Sequence, residues 1–216
     1  SPSQSQYRNR VFLGRNALKR PFVIGLTGGY CSGKNQVGNR IATYGFNVID
    51  ADVLGHQALI VCAPQLAEVF GQGILNSEGN VNRRALGAIV FSDKTKLRLH
   101  ESIVHPVILK LMDEELARSE KACINATLLY RYPNEVAKCD FIIEVRTSLL
   151  NRIRRGKIRD GFNTIEVLKR VRSQKYLWRM RPSTMQGPEV IFLDNDGTPE
   201  ELERKVDDLL EEKILH

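Results

Sequence analysis

The chain has 216 residues, 42% of them hydrophobic, and a formal net charge of +7 at neutral pH. That is enough for one α/β domain with an insertion, and the apolar share suits an ordinary globular core. No apolar run approaches the roughly 20 residues a membrane helix needs, so no membrane partner is expected.

The positive charge is localised. Residues 146–181 carry a net +10 and residues 1–20 a net +5, which leaves −8 on the remainder. A basic segment on an acidic body suits a phosphate-rich ligand. No aromatic-rich sheet motif or helix-turn-helix pattern accompanies the charge, so a nucleic-acid partner is not expected. Cys31, Cys62, Cys123 and Cys139 show no C-x-x-C spacing. They read as reduced thiols in a cytoplasmic protein, not as a disulfide or zinc framework.

Residues 1–20, rich in Ser, Gln, Asn and Arg, read as a flexible basic arm, with a transit-peptide remnant as the alternative. From residue 21 the pattern becomes that of a folded domain. Phe22-Val23-Ile24-Gly25-Leu26 is an apolar strand, and Val37, Ile41 and Tyr44 give a helical stripe. Between them, Gly28-Gly29-Tyr30-Cys31-Ser32-Gly33-Lys34-Asn35 reads G-x-x-x-x-G-K, the phosphate-cradling P-loop. Glycines let the backbone fold tightly enough for several N–H groups to converge on a phosphate. Lys34 supplies a point charge to the terminal phosphates. The expected nucleotide contacts are Gly29, Tyr30, Cys31, Ser32, Gly33, Lys34, Asn35 and Gln36. Asn35 stands where Ser or Thr normally binds Mg²⁺ through its hydroxyl.

Phe46–Ile49 is a second strand that ends in Asp50-Ala51-Asp52, and carboxylates there lie on the ligand-binding rim of an open α/β sheet. Asp52 is a candidate general base, and equally a candidate cap for the helix that follows. Residues 53–120 read as mostly helical, with one stretch ending before Pro64, Ser92 capping a long helix, and a kink or restart at Pro106. That much helix suggests an inserted substrate-binding lobe.

Ala122–Leu129 and Phe141–Val145 are the third and fourth strands. The basic segment, 147–181, reads as a lid: helix from Ser148 to Arg155, then Gly156–Gly161, then a second helix from Asn163-Thr164. Arg159 and Arg170 are its candidate ligand contacts. Val190–Leu193 is the last strand, and Thr198-Pro199-Glu200-Glu201 is a capping box before a closing helix on Leu202, Val206, Leu209 and Leu210.

From Phe22 to about Leu210 the chain resembles the dephospho-coenzyme A kinase family. The resemblance rests on Thr27–Asn35 for T-G-G-x-x-S-G-K-S and on Val48-Ile49-Asp50-Ala51-Asp52 for V-I-D-A-D. Asn82–Leu86 with Ile89–Ser92, and His105-Pro106, match the insertion; Arg159-Asp160, Arg170 to Gln174, and Asp194–Gly197 match the later motifs. It implies a P-loop kinase fold: a five-stranded parallel sheet flanked by helices, with a helical insertion and a helical lid. It also implies transfer of the ATP γ-phosphoryl group to the 3′-hydroxyl of dephospho-CoA, with ATP and Mg²⁺ required. By that analogy Asp52 is the base, Arg84 and His105 lie near the acceptor, and Arg159 and Asn195 border the adenine. A monomer or small homo-oligomer would serve.

Two positions depart from the family. Its third strand reads D-x-P-L-L, whereas this chain has Asn125-Ala126-Thr127-Leu128-Leu129. Together with Asn35, two metal-side positions carry amides, which shifts the expected metal ligands to Asn35 and Asp50. The alternatives are a P-loop kinase for another small acceptor, such as a nucleoside monophosphate, and a nucleotide-binding pseudokinase.

Overall fold

The computed structural model describes residues 20–183 and 187–215. The basic arm, apart from Arg20, lies outside them. The described residues form two compact units, one from residues 20–49 with 119–183 and 187–215 and the other from residues 50–118.

The first unit is built on a five-stranded parallel sheet in the order β2-β3-β1-β4-β5. The strands are β1 (Phe22–Gly28), β2 (Asn47–Asp50), β3 (Lys121–Asn125), β4 (Phe141–Arg146) and β5 (Glu189–Asp194). β1 is central, with Leu26 opposite Asn125 of β3 and Ile143 of β4. The order reverses at β1, so the turn that leaves it sits at the switch point where open sheets bind ligands. Helix α1 (Lys34–Thr43) follows that turn. It packs its buried Val37 and Ile41 into a core with Ile24, Leu26 and Ile143 and with Val206 and Leu210 of the closing helix. Arg40 of α1 donates from Nε and Nη2 to both carboxylate oxygens of Asp207, at 2.7 and 2.6 Å.

The second unit begins at α2 (Ala51–Phe70) and contains α3 (Arg83–Val90) and α4 (Lys94–Ala117). Its core is Ala58, Cys62 and Leu66 of α2 with Leu86, Val90 and Val104. Four expectations change here. Asp50, not Asp52, caps α2, accepting from the Asp52 and Val53 amides at 2.8 and 3.4 Å. Asp93, not Ser92, caps α4. Neither Pro64 nor Pro106 ends its helix, because the packing of α2 along α4 outweighs the roughly 3 kcal/mol of a proline inside a helix. Last, α2 is long and apolar enough, at a mean hydropathy of 1.3 over its best 18-residue window, to cross a membrane by length and composition. Its scattered polar residues hid that run, and a core helix passes the same test.

Returning to the first unit, β3 ends at Asn125, not at Leu129. β1 turns away at Gly28, so the chain beyond Ala126 has no strand to pair with, and Leu129–Arg131 coils into a 3₁₀ turn. A short α5 (Pro133–Lys138) leads to β4. Helix α6 (Leu149–Asp160) runs a full turn past Arg155 and stops at Gly161, which takes a left-handed φ of 68°. Gly156 sits inside it because a side chain there would press on Val167 at 2.8 Å and on the Tyr30 hydroxyl at 3.2 Å. Helix α7 (Thr164–Ser173) starts at Asn163 with a full capping box to Glu166. After β5, Thr198 and Glu201 form the expected capping box of α8 (Pro199–Leu215), whose Leu202, Val206, Leu209 and Leu210 are buried.

The α6–α7 hairpin closes on the β1–α1 turn through Tyr30. The Tyr30 hydroxyl donates to Asp160 Oδ2, its ring stacks on Phe162 at 6.4 Å, and Arg170 lies over both rings. Arg159 braces the same carboxylate with two bonds of 2.9 Å.

Two outcomes are expected. Leu210→Ala should cost about 2–5 kcal/mol, read as a lower urea midpoint, since Leu210 is 1% exposed. The hydrogen bonds from Arg159 and then Tyr30 hold the Asp160 carboxyl down at about 2. Because that lies below the ordinary value of about 3.9, the latch should be fully formed above about pH 4 and be lost as pH falls through about 2. Amide exchange in residues 149–173, corrected for intrinsic rates, should therefore stay constant from pH 8 to pH 5. Asp160→Asn should raise it at neutral pH.

Candidate active site

The β1–α1 turn contains two left-handed residues, Cys31 at φ 56° and Gly33 at φ 90°. Cys31 adopts this conformation at a cost of about 1–2 kcal/mol. Gly33 is the N-cap of α1 and makes no side-chain cap. No side chain therefore caps the first turn; Gln36 N turns back to Gly33 O at 3.0 Å, and a helix N-terminus without a side-chain cap, with its positive dipole end, favours an anion. A side chain at Gly33 would collide with the Asn195 amide.

Side chains from distant segments hold the turn's own carbonyls. Asn195 Nδ2 donates to Ser32 O at 2.8 Å, and the Thr147 hydroxyl lies 3.0 Å from the same oxygen. Arg155 reaches Cys31 O and Ser32 O at 3.5 Å and Asn195 O at 2.9 Å. Arg152 Nε donates to Tyr30 O at 2.7 Å, and Gln174 Oε1 accepts from Tyr30 N at 2.7 Å. The turn is thus fixed with its carbonyls satisfied by side chains, as a preorganised amide cradle requires.

Lys34 opens α1. Its Nζ donates to Asn125 Oδ1 at 2.8 Å and to Asn35 Oδ1 at 3.1 Å, and Asn125 Nδ2 donates to Asn35 Oδ1 at 3.1 Å. The two departures from the family pattern are therefore neighbours that share one lysine. Neither amide neutralises that lysine, as a carboxylate would. Gln36 is exposed in the first turn of α1. Among the described residues, no group of three or more His, Cys, Asp or Glu side chains could hold a metal.

Beside the turn, an open cleft of about 320 Å³ is lined by Gly29, Ser32, Glu144, Arg146, Arg152 and Arg181, among others. Glu144 is buried. It accepts from Tyr130 at 2.8 Å and from Arg181 Nε and Nη2 at 2.7 Å each. Burial, and then the nearby carboxylate, push the Tyr130 hydroxyl well above its usual value. Two buried polar atoms in this cleft have no hydrogen-bond partner: Ser32 Oγ and Arg152 Nη2.

Of the residues expected from sequence, the structure brings Gly29 to Asn35 together with Asn195, and sets Arg159 over the Tyr30 ring at 5.2 Å. Asp50, Asp52, Arg84 and His105 belong to the second unit. There Asp52 is exposed in the first turn of α2 and Arg84 is exposed on α3, behind its cap Asn82. His105 is half-buried on α4. Sequence reasoning missed Arg152, Arg155, Glu144 and Arg181. Arg152, Arg155 and Arg159 fall at i, i+3, i+7, one face of α6, which was a readable signal.

Comparisons with known proteins agree with this geometry. The dephospho-CoA kinase family model matches residues 22–198. The dephospho-CoA kinase of Geobacter sulfurreducens is 34% identical over 194 residues, covering 87% of this chain and 96% of its own. That of Thermus thermophilus is 33% identical over 202 residues, covering 93% and 95%. The crystal structure of TT1252 from Thermus thermophilus superposes with a TM-score of 0.74 at 31% identity, covering 89% of this chain and 98% of that one. A shikimate kinase from Acinetobacter baumannii shares the fold alone, with a TM-score of 0.50 at 16% identity over 91% and 96% of the two chains. A P-loop turn with its lysine at the switch point of a β2-β3-β1-β4-β5 sheet, within a match over most of the sequence, places this chain in the dephospho-CoA kinase family.

Proposed function

We propose that the protein transfers the γ-phosphoryl group of ATP to the 3′-hydroxyl of dephospho-CoA. The observation that carries this reading is the uncapped start of α1, with Lys34 at its mouth, inside a family match over residues 22–198. Phosphoryl transfer asks a protein mainly for positioning and for charge stabilisation. The turn's amides and Lys34 bind the triphosphate. Arg155, Arg152, Gln174 and Asn195 hold the turn in shape. Arg159, clamped by Asp160 over Tyr30, borders the adenine.

Asp52 accepts the proton of the acceptor hydroxyl as general base. The capping role beside it falls to Asp50, which supports this assignment by leaving the Asp52 carboxylate out of the α2 cap. Arg84 and His105 hold the acceptor.

Asn35 and Asp50 are the candidate Mg²⁺ ligands. Asn35 and its neighbour Asn125 offer neutral oxygens, and Asp50 gives part of its carboxylate to capping. This set fits a metal carried mainly on the ATP phosphates. When bound, Mg²⁺ supplies neutralisation of the phosphate oxygens. The buried thiols of Cys31, Cys62, Cys123 and Cys139, none in a disulfide, support a reducing, cytoplasmic setting.

A coupled ADP-release assay with ATP, Mg²⁺ and dephospho-CoA tests the proposal. Lys34→Ala should lower turnover by about 100-fold or more. Asp52→Asn should lower kcat by about 10²–10⁴ while ATP affinity in a binding titration stays near wild type. A near-normal rate in that variant would remove the base assignment. Asn35→Ser should lower the Mg²⁺ concentration for half-maximal turnover; an unchanged requirement would put the metal on ATP alone. Tight ATP binding without turnover at saturating Mg²⁺ would give the non-catalytic reading. Faster turnover of a nucleoside monophosphate than of dephospho-CoA would move the acceptor assignment.

A further inference from the structure

Arginines crowd the β1–α1 turn and the cleft beside it, and most of them are already engaged. Arg159 gives two bonds to Asp160. Arg181 gives two to Glu144, and Arg146 reaches the same carboxylate at 3.4 Å while lying over the Phe192 ring. Arg155 is engaged with the carbonyls of Cys31, Ser32 and Asn195. Arg170 covers the rings of Tyr30 and Phe162.

Arg152 differs from these. One donor, Nε, is fixed on Tyr30 O at 2.7 Å, which aims the guanidinium plane along the Gly29–Tyr30 backbone. Its Nη2 is buried without a partner. No carboxylate pairs with it among the described residues, and burial pulls its pKa below the ordinary arginine value. A buried donor left unsatisfied costs about 1–3 kcal/mol, more when charged. Such a cost is retained where a ligand removes it.

The second orphan atom lies in the same cleft. Ser32 is 2% exposed and its hydroxyl has no partner. Arg152 and Ser32 come from α6 and from the P-loop, so their lack of partners is not one local accident. The lining holds Arg146, Arg152 and Arg181 against Glu144, which leaves it positive. An unsatisfied guanidinium and an unsatisfied hydroxyl beside a bare glycine backbone suit a tetrahedral oxyanion.

We propose that Arg152 is a phosphate-binding residue of this site: Nη2 and the Ser32 hydroxyl hold non-bridging oxygens of the nucleotide's triphosphate. The inference rests on the proposed function for the identity of the phosphate as ATP's, but not for the transfer step. It gives the lid a direct contact with the triphosphate, beside the adenine contact proposed for Arg159. Through Nε it also ties that contact to the shape of the turn, so that the hairpin and the loop close on the same group.

The test is a calorimetric titration of wild type, Arg152→Met, Arg152→Gln and Arg152→Lys with ATP, inorganic tripolyphosphate, adenosine and dephospho-CoA. Gln can keep a donor for Tyr30 O without the charge, so Arg152→Gln separates a prop from a phosphate contact. The expected result is at least about a tenfold loss of ATP and tripolyphosphate affinity in the Met and Gln variants. Adenosine affinity should be unchanged and the loss in Arg152→Lys smaller. Unchanged tripolyphosphate affinity in Arg152→Gln, or an equal loss for adenosine, overturns the proposal. A loss confined to dephospho-CoA overturns it too, by giving the phosphate to the acceptor. If Arg152→Met does not fold, the Gln and Lys variants decide. Wild type that binds tripolyphosphate through Arg152 but does not phosphorylate dephospho-CoA would refute the proposed function and leave this inference standing. Normal turnover with Arg152-independent binding would do the reverse.

Discussion

The first unit depends on how four backbone groups of one turn are held. A P-loop needs its amides pointing inward, which turns its carbonyls outward, and outward carbonyls near a buried edge must find donors. Here Arg152, Arg155 and Asn195 supply them to Tyr30, Cys31 and Ser32. Gln174 accepts the Tyr30 amide. These side chains come from α6, from the residue after β5 and from the end of α7. The lid and the last strand are therefore parts of the phosphate cradle as well as neighbours of it. Tyr30 joins the two roles: its backbone is held by Arg152 and Gln174, and its side chain by Asp160 and Phe162.

Much of this was legible in the residues. The glycine spacing, the apolar β1 and the stripe on α1 marked the loop because tight turns and helical faces have strict local requirements. The capping boxes of α7 and α8 were readable for the same reason. The errors arose where tertiary contacts override local preference. Gly156 looks like a helix stop, yet it is the close contact between α6, Val167 and Tyr30. Leu128 and Leu129 look like strand, yet β1 has already turned away. Asp50 takes the cap that Asp52 seemed to offer. Glu144 reads as an odd charge in an apolar strand until Arg181, 37 residues later, closes on it.

Asn35 and Asn125 change meaning once they are seen together. In the sequence they stand 90 residues apart as two separate losses; in the fold one hydrogen bond of 3.1 Å joins them and both accept from Lys34. A carboxylate at either place would pair with the lysine and lower its reach for phosphate. Two amides position it without neutralising it. With the Mg²⁺ ligands proposed above, the same exchange would remove negative charge from the metal side and leave more of the cation's coordination to the phosphates and water. Under the proposed function, lysine placement and metal dependence would be linked through this one small polar network.

The central claim is that the β1–α1 turn presents a triphosphate for transfer to one particular alcohol. Phosphorus NMR of a reaction containing ATP, Mg²⁺ and dephospho-CoA measures this most directly. The account predicts that the γ-phosphate resonance of ATP falls as a new phosphomonoester resonance grows in step with ADP, and that neither change occurs when dephospho-CoA is left out. ADP accumulating together with free inorganic phosphate, or ATP remaining intact beside dephospho-CoA, would contradict it.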